Sequence, residues 1–191
     1  KGIITKNEIL NYTKKGSLLE EHPNPNLHGV EAATGSLGHG LSISCGIALG
    51  AKLKNKKFKT YVLLSDGECN EGSVWESCLF ANANNLDNLI AIIDYNKWQA
   101  TGKTQDILKL GSLTEKFKSF GWNTYEINGH DHKEILQKIK LAKSNKNNPS
   151  VIIANTIKGK GISFMENDNN WHYRSPSYEE LLKSKQELKI L

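Results

Sequence analysis

The chain predicts an α/β fold: a doubly wound parallel sheet with helices on both faces. Strand-like apolar runs recur at Thr60–Ser65, Leu89–Tyr95, Trp122–Ile127 and Ser150–Asn155. Helical stretches separate them at Val74–Asn84, Ser112–Phe120 and Asp131–Lys143. The joins are short, and strand–helix alternation with short joins gives parallel strands.

The elements follow in order. Residues 16–35 carry Gly16, Pro23, Pro25, Gly29 and Gly35, which describes an extended loop with turns. From Leu41 to Lys54 small and large apolar residues (Ile43, Cys45, Ile47, Ala48, Leu49, Ala51) alternate in a helical manner. A helix apolar nearly all round is expected to be buried, one covering surface being supplied by another chain. The first strand ends in Ser65-Asp66-Gly67 and the second closes on Asn96, with Glu71 to Asn84 reading as the crossover helix between them. The tail Tyr178–Leu191 reads as a surface helix begun by Ser175-Pro176-Ser177. No internal repeat or flexible linker interrupts the pattern, so residues 1–191 count as one domain. Lys1-Gly2-Ile3-Ile4 looks like the exit of a helix, so the sequence reads as starting in mid-fold, with an amino-terminal segment either truncated or simply not represented in it.

Composition narrows the function. The 191 residues are 38% apolar, enough for a core, and no window approaches the ~18 apolar residues of a membrane span. No long apolar region follows the charge of Lys1–Lys6, so this stretch is not expected to be a signal peptide. Cys45, Cys69 and Cys78 cannot all pair within one chain and have no Cys-x-x-Cys spacing, which fits reduced thiols in a cytoplasmic protein. The net charge is +5, yet Arg174 is the only arginine. Arginine supplies most bidentate recognition of bases and phosphates, so its scarcity argues against nucleic acid. The lysine-rich run from Lys52 to Lys59 closes a helix, where cations complement the dipole.

Open α/β sheets bind ligands outside the carboxyl ends of their strands, where Asp66 and Asn96 stand. One carboxylate oxygen, one amide oxygen and nearby loop carbonyls suit an octahedral Mg²⁺ that also holds phosphate oxygens. Aspartate at a strand end is also a turn former or helix cap. Gly67, Asn96 and the helix start just downstream together favour the Mg²⁺–phosphate site.

Gly35-Ser36-Leu37-Gly38-His39-Gly40 opens the apolar helix. Its glycines permit positive φ and close approach, and free N–H groups at a helix start favour an anion. Tight packing at a helix start explains the motif equally well. Glu71 and Glu76 lie near the start of the crossover helix, where acids complement the dipole. Burial at an interface would instead raise their pKa values and let them pass protons. Of the six histidines, His22 and His172 lie on loops, where catalytic groups concentrate.

The ordered set His22-Pro23, Gly35-Ser36-Leu37-Gly38, Asp66-Gly67, Asn96, Lys158-Gly159-Lys160-Gly161 and Trp171-His172 resembles the amino-terminal region of transketolase. The stretch Gly29–Gly35 and Phe164-Met165-Glu166-Asn167 strengthen the match, which covers essentially the whole length. It is closest to the split form, in which diphosphate-binding and pyrimidine-binding domains are separate chains.

The resemblance implies a thiamine diphosphate-binding fold with thiamine diphosphate and Mg²⁺ as cofactors. By matched position, Asp66, Asn96 and the backbone carbonyl of Trp98 would bind the metal. Gly67 and Asn96 would contact the diphosphate, and Gly35, Ser36 and Leu37 would line the cofactor near its thiazolium. His22 and His172 match histidines that contact sugar substrate or diphosphate and assist proton transfer. Glu71 and Glu76 match interface glutamates thought to link paired active sites.

The implied reaction moves a two-carbon ketol unit from a ketose phosphate to an aldose phosphate, as in the pentose phosphate pathway. The cofactor is the electron sink, and the protein supplies orientation and proton transfer. The glutamate that activates the aminopyrimidine belongs to the other domain. The implied enzyme therefore works only with a pyrimidine-domain partner, as a homodimer of the pair, a heterotetramer. The alternatives are another thiamine diphosphate enzyme, such as a deoxyxylulose-phosphate synthase-like or specialised ketol transferase, and a non-catalytic partner subunit.

Three positions depart from the family pattern. Ser65 stands where glycine is usual and fits if its φ is negative. His39 stands where glutamine is common. Tyr173 and Arg174 follow His172 where glycine is usual, which puts sugar specificity in question while cofactor binding remains expected.

Overall fold

The computed structural model describes residues 2–190. Its elements run α1 (Lys6–Leu10), α2 (His39–Leu53), β1 (Thr60–Ser65), α3 (Gly72–Ala83), β2 (Leu89–Tyr95), β3 (Trp98–Gln99), β4 (Gly102–Lys103), α4 (Thr104–Ile107), α5 (Leu113–Ser119), β5 (Asn123–Asn128), α6 (His132–Ser144), β6 (Ser150–Asn155) and α7 (Tyr178–Glu187). Short 3-10 turns lie at Gly67–Asn70 and Asn169–His172. Four strands form one sheet in the order β1-β2-β6-β5, with every neighbouring pair parallel. β3 and β4 make a separate antiparallel ribbon.

The sheet divides its side chains between two cores. Leu64, Leu89, Ala91, Ile93, Val151 and Ile153 pack with residues of α2, α3 and α5 on one face. Ile90, Ile127, Ile152 and Ala154 meet Ala142 of α6 on the other. Coverage of both faces is why β6 reads as an unbroken apolar run: Ser150 through Ala154 are all buried. Phe117 of α5 is fully buried, with its ring centroid 5.3 Å from that of Trp75 and 5.4 Å from that of Trp122. This aromatic cluster joins α3, α5 and the entry to β5.

Helix starts follow local chemistry. Asp131 caps α6 by accepting the N–H groups of Lys133 and Glu134, and Ser112 caps α5 by accepting that of Glu115. Ser177 and Glu180 form a reciprocal capping box at α7.

Several expectations are corrected. α1 was not anticipated: it is set by a capping box between Thr5 and Glu8, and the Thr-x-x-Glu spacing was the available signal. Gly2, Ile3 and Ile4 are irregular and lead into α1, while Lys1 lies outside the described residues. The third predicted strand region, Trp122–Ile127, moves by one to Asn123–Asn128, and the tail helix stops at Glu187, with Leu191 outside the described residues. Within its own chain α2 is buried along one stripe, Leu41, Ser44, Cys45, Ala48 and Ala51, where small residues let it lie close to β1 and α3, and its other side is left for the cover expected from another chain. Ile43 and Ile47 on its other side are each 38% exposed. Among the described residues no helix is long and apolar enough to cross a membrane.

All three thiols are unpaired and buried, and burial pushes Cys45 up to about 11, Cys69 up to about 12 and Cys78 higher still. A thiol reagent such as Ellman's at pH 8 is expected to label none of them in the folded chain and all of them in urea. Phe117→Ala is expected to cost about 3–5 kcal/mol of stability, read as a lower urea midpoint.

Candidate functional site

The carboxyl edge of the sheet is built by register. Ser65 of β1 lies opposite Asp94 of β2, and the Asp66 N–H donates to the Asp94 carbonyl at 3.2 Å. Asp66 and Asn96 therefore step off adjacent parallel strands at one edge. The Asp66 side chain is fully buried, and its Oδ2 accepts from the Thr104 hydroxyl at 2.7 Å. Its Oδ1 is buried and has no protein partner. Burial raises the pKa of Asp66 above its ordinary value; the Thr104 bond and the nearby backbone N–H groups of Asp66 and Gly67 oppose that shift, and the Asp94 charge adds to it. A buried carboxylate oxygen with no donor is a costly arrangement that a cation relieves.

Asn96 is oriented from both ends. Its Nδ2 donates to Asp94 Oδ2 at 3.4 Å, and its Oδ1 accepts the Trp98 N–H at 2.9 Å. An amide oxygen has two lone pairs, so one stays free for a ligand. Asp94 also accepts from the Thr156 hydroxyl, which fixes it between β2 and β6. Trp98 opens the β3–β4 ribbon directly beyond Asn96. The ribbon rests on Gly67, where a Cβ would stand 2.9 Å from Gln99 Cγ. Ser65 is the last residue of β1 and is not among the positive-φ residues, which meets the condition for serine at this position. Its hydroxyl also accepts the Glu68 N–H at 3.0 Å.

The Gly35–Gly38 turn meets the same region from another side. Gly35 has φ +121°, and a Cβ there would lie 2.1 Å from His22 Cδ2, so the imidazole sits directly on the glycine. Gly38 has φ +83°, and a Cβ there would lie 2.7 Å from that of Glu71. The Gly38 N–H donates to Glu68 Oε1 at 2.8 Å, and the Gly38 carbonyl accepts from the Ser73 hydroxyl at 3.0 Å. The N-cap N–H of α2 is thus taken by the buried Glu68 side chain of the chain itself. Ser36 and Leu37 are exposed beside it. Glu71 and Glu76 are also exposed, on a helix that presents Leu79 at 59% and Phe80 at 44% exposure.

Residues 157–172 fold into one ordered loop. Gly159, with φ +73°, would place a Cβ 2.3 Å from the Met165 carbonyl oxygen. Lys160 pairs with Glu166 at 3.2 Å, and the Trp171 Nε1–H donates to the Phe164 carbonyl at 3.0 Å. Asn169 ties this loop to the ribbon by donating to the Ala100 carbonyl at 2.9 Å. His172 is exposed and meets Tyr173 edge-on, with centroids 4.6 Å apart. Among the described residues no hydrogen bond joins His22 or His172 to Asp66 or Asn96.

Two cavities flank Asn96. One of about 740 Å³ is lined by Asn96, Trp98, Thr104 and the lysines Lys97, Lys103 and Lys109. The other, of about 540 Å³, includes Asp94, His130, Thr156, Lys158 and Lys160. The lysines give both mouths a positive field suited to phosphate groups. Sequence patterns had not singled out Glu68, Asp94, Thr104 or Thr156 for this edge. Only Asp94 carried a signal, as a charge closing an otherwise apolar strand.

Asp66→Asn removes a buried charge and keeps an acceptor for Thr104. It is expected to raise the melting temperature of the EDTA-treated protein by about 2–4 °C. The raised pKa means the folded state resists ionisation, so wild type loses stability as the pH rises above the ordinary value of 3.8. The gain from Asp66→Asn is therefore largest near neutrality and vanishes at lower pH, as thermal scans across pH will show.

Comparison with known proteins places this chain in a family. The family model described as "Transketolase, thiamine diphosphate binding domain" matches residues 4–190. An apulose-4-phosphate transketolase subunit from Phocaeicola vulgatus is 39% identical over 180 residues, covering 94% of this chain and 64% of the relative. The subunit of the same name from Actinobacillus succinogenes is 42% identical over 189 residues, covering 98% of this chain and 68% of the relative. The transketolase structure from Campylobacter jejuni superposes with a TM-score of 0.91 at 30% identity, covering 96% of this chain and 30% of that one. The chain thus spans about two thirds of the subunit relatives and under a third of the Campylobacter enzyme. With its parallel sheet, its Asp66–Asn96 edge and a family match over nearly every residue, the chain belongs to the transketolase family through its thiamine diphosphate-binding domain.

Proposed function

We propose that this chain is the diphosphate-binding subunit of a two-chain transketolase, moving a two-carbon ketol unit from a ketose phosphate to an aldose phosphate. The observation that carries the proposal is the unpartnered, buried Oδ1 of Asp66 beside Asn96. Asp66, the free lone pair of Asn96 and the Trp98 carbonyl would hold Mg²⁺, with Gly67, Asn96 and His172 toward the diphosphate. Gly35, Ser36 and Leu37 would line the thiazolium. When bound, thiamine diphosphate supplies the electron sink for cleaving the bond beside a ketose carbonyl.

The chain's own residues bind, orient and move protons. His22, seated on Gly35, and His172 take and return protons at sugar hydroxyl oxygens. Lys158 and Lys160 draw phosphate groups to the cavity mouth. Glu71 and Glu76, on an exposed helix face with Leu79 and Phe80, pass protons where two pairs of chains meet. The relatives' names, which describe them as subunits, support a pyrimidine-domain partner chain, and two such pairs would form the working heterotetramer. Unpaired, buried thiols are in keeping with a cytoplasmic setting.

One observation favours a specialised sugar. Arg174 stacks 4.0 Å from the Trp171 ring centroid and pairs with Glu180, so the segment after His172 is built as a fixed side-chain cluster in place of a glycine turn. The relatives' names make apulose-4-phosphate the first donor to try.

The test is co-expression with the partner chain, followed by assay with a ketose phosphate donor and an aldose phosphate acceptor. Sugar product is expected only with thiamine diphosphate and Mg²⁺, with EDTA and Asp66→Ala each abolishing it. Cofactor binding without product from any ketose would overturn the ketol-transfer assignment. Turnover of pyruvate would replace it with a deoxyxylulose-phosphate synthase-like reaction.

A further inference from the structure

We infer that Thr104 is a positioning residue for metal binding: its buried hydroxyl holds one oxygen of Asp66 so that the other faces Mg²⁺. The inference rests on the Mg²⁺ assignment above and goes beyond it to a residue outside the ligand set. Thr104 is 4% exposed, and its hydroxyl donates to Asp66 Oδ2 at 2.7 Å. An ionised carboxylate only accepts, so this bond fixes which oxygen is occupied and leaves Oδ1 without a partner.

The rest of Thr104 is equally committed. Its N–H donates to the Lys97 carbonyl at 3.0 Å, and its carbonyl accepts the Leu108 N–H at 3.1 Å. The residue cannot turn without breaking the end of the β3–β4 ribbon. That ribbon begins at the other proposed ligands, since the Trp98 N–H binds Asn96 Oδ1 at 2.9 Å. A single short loop, 96–104, thus leaves two ligands at its start and returns at its end to orient the third. Gln99 of the same ribbon lies on Gly67, next to Asp66, which fixes the loop in a second place. Thr104 sets the spacing between Asp66 and the Asn96–Trp98 pair as well as the rotation of the carboxylate.

The experiment titrates Mn²⁺, a spectroscopic stand-in for Mg²⁺, into the full chain assembled with its partner in the presence of thiamine diphosphate. Free Mn²⁺ is read by electron paramagnetic resonance. Thr104→Val keeps the shape and removes the donor, and is expected to weaken Mn²⁺ binding about 10–100-fold. Thr104→Ser keeps the hydroxyl and is expected to bind close to wild type. If the valine variant does not fold, Thr104→Cys, a poor donor of similar size, is expected to show the same weakening. Wild-type Mn²⁺ affinity in the valine or cysteine variant overturns the inference, as does equal weakening in the serine variant. A melting temperature lowered without any change in Mn²⁺ affinity assigns Thr104 a structural role and overturns it as well. Failure of wild type itself to bind Mn²⁺ removes the metal assignment, and this inference with it.

Discussion

Burying a carboxylate in a protein interior costs on the order of several kcal/mol unless donors or a cation meet it. Asp66 is such a carboxylate, fully buried and hydrogen-bonded to a side chain through one oxygen alone. Much of the carboxyl edge exists to make that burial tolerable. The ribbon folds back so that Thr104 can donate, and Gly67 is small so that the ribbon can rest against the turn. Asp94, one strand away, adds negative charge instead of relieving it, and is itself answered by Thr156 and Asn96. The edge is therefore short of positive charge at its centre, with lysines only at its mouths. This charge distribution supports the proposed cation that carries phosphates.

A second buried carboxylate couples this edge to the start of α2. Glu68 follows Asp66 by two residues and accepts the Gly38 N–H, thirty positions back in the chain. The Gly35–Gly38 turn is consequently held against the turn that carries Asp66, and Glu71 packs on Gly38 from the same side. His22 arrives by lying on Gly35. Three segments distant in sequence thus meet around Gly35 and Gly38, where any Cβ would force the neighbouring side chain aside. The positive φ of Gly35 and Gly38 adds a second reason for glycine at these two places.

The regular framework was legible in the sequence because its signals are local and repeated. Apolar runs of strand length, helix caps such as Asp131 and Ser112, and short joins are enough to order a parallel sheet. The ordered motifs were enough to reach the family. Elements shorter than one period of a pattern were not legible in the same way: α1 spans five residues, and β3 and β4 two each. Which side of α2 its own chain covers was not legible either. An apolar composition reports that a helix wants cover and leaves unstated whether its own chain supplies it.

Residue type and order by themselves determined that this chain forms a parallel α/β sheet, that Asp66 and Asn96 stand at strand ends, and that the motifs are those of a transketolase. Tertiary structure alone decided which oxygen of Asp66 is left free, that Glu68 occupies the start of α2, and that Thr104 and Thr156 hold the two aspartates. The physical reason is range. Periodicity, capping and turn chemistry act over a few neighbouring residues, whereas these hydrogen bonds join positions 30, 38 and 62 residues apart. Such pairs exist only once the strands have set their register, and no local pattern encodes them.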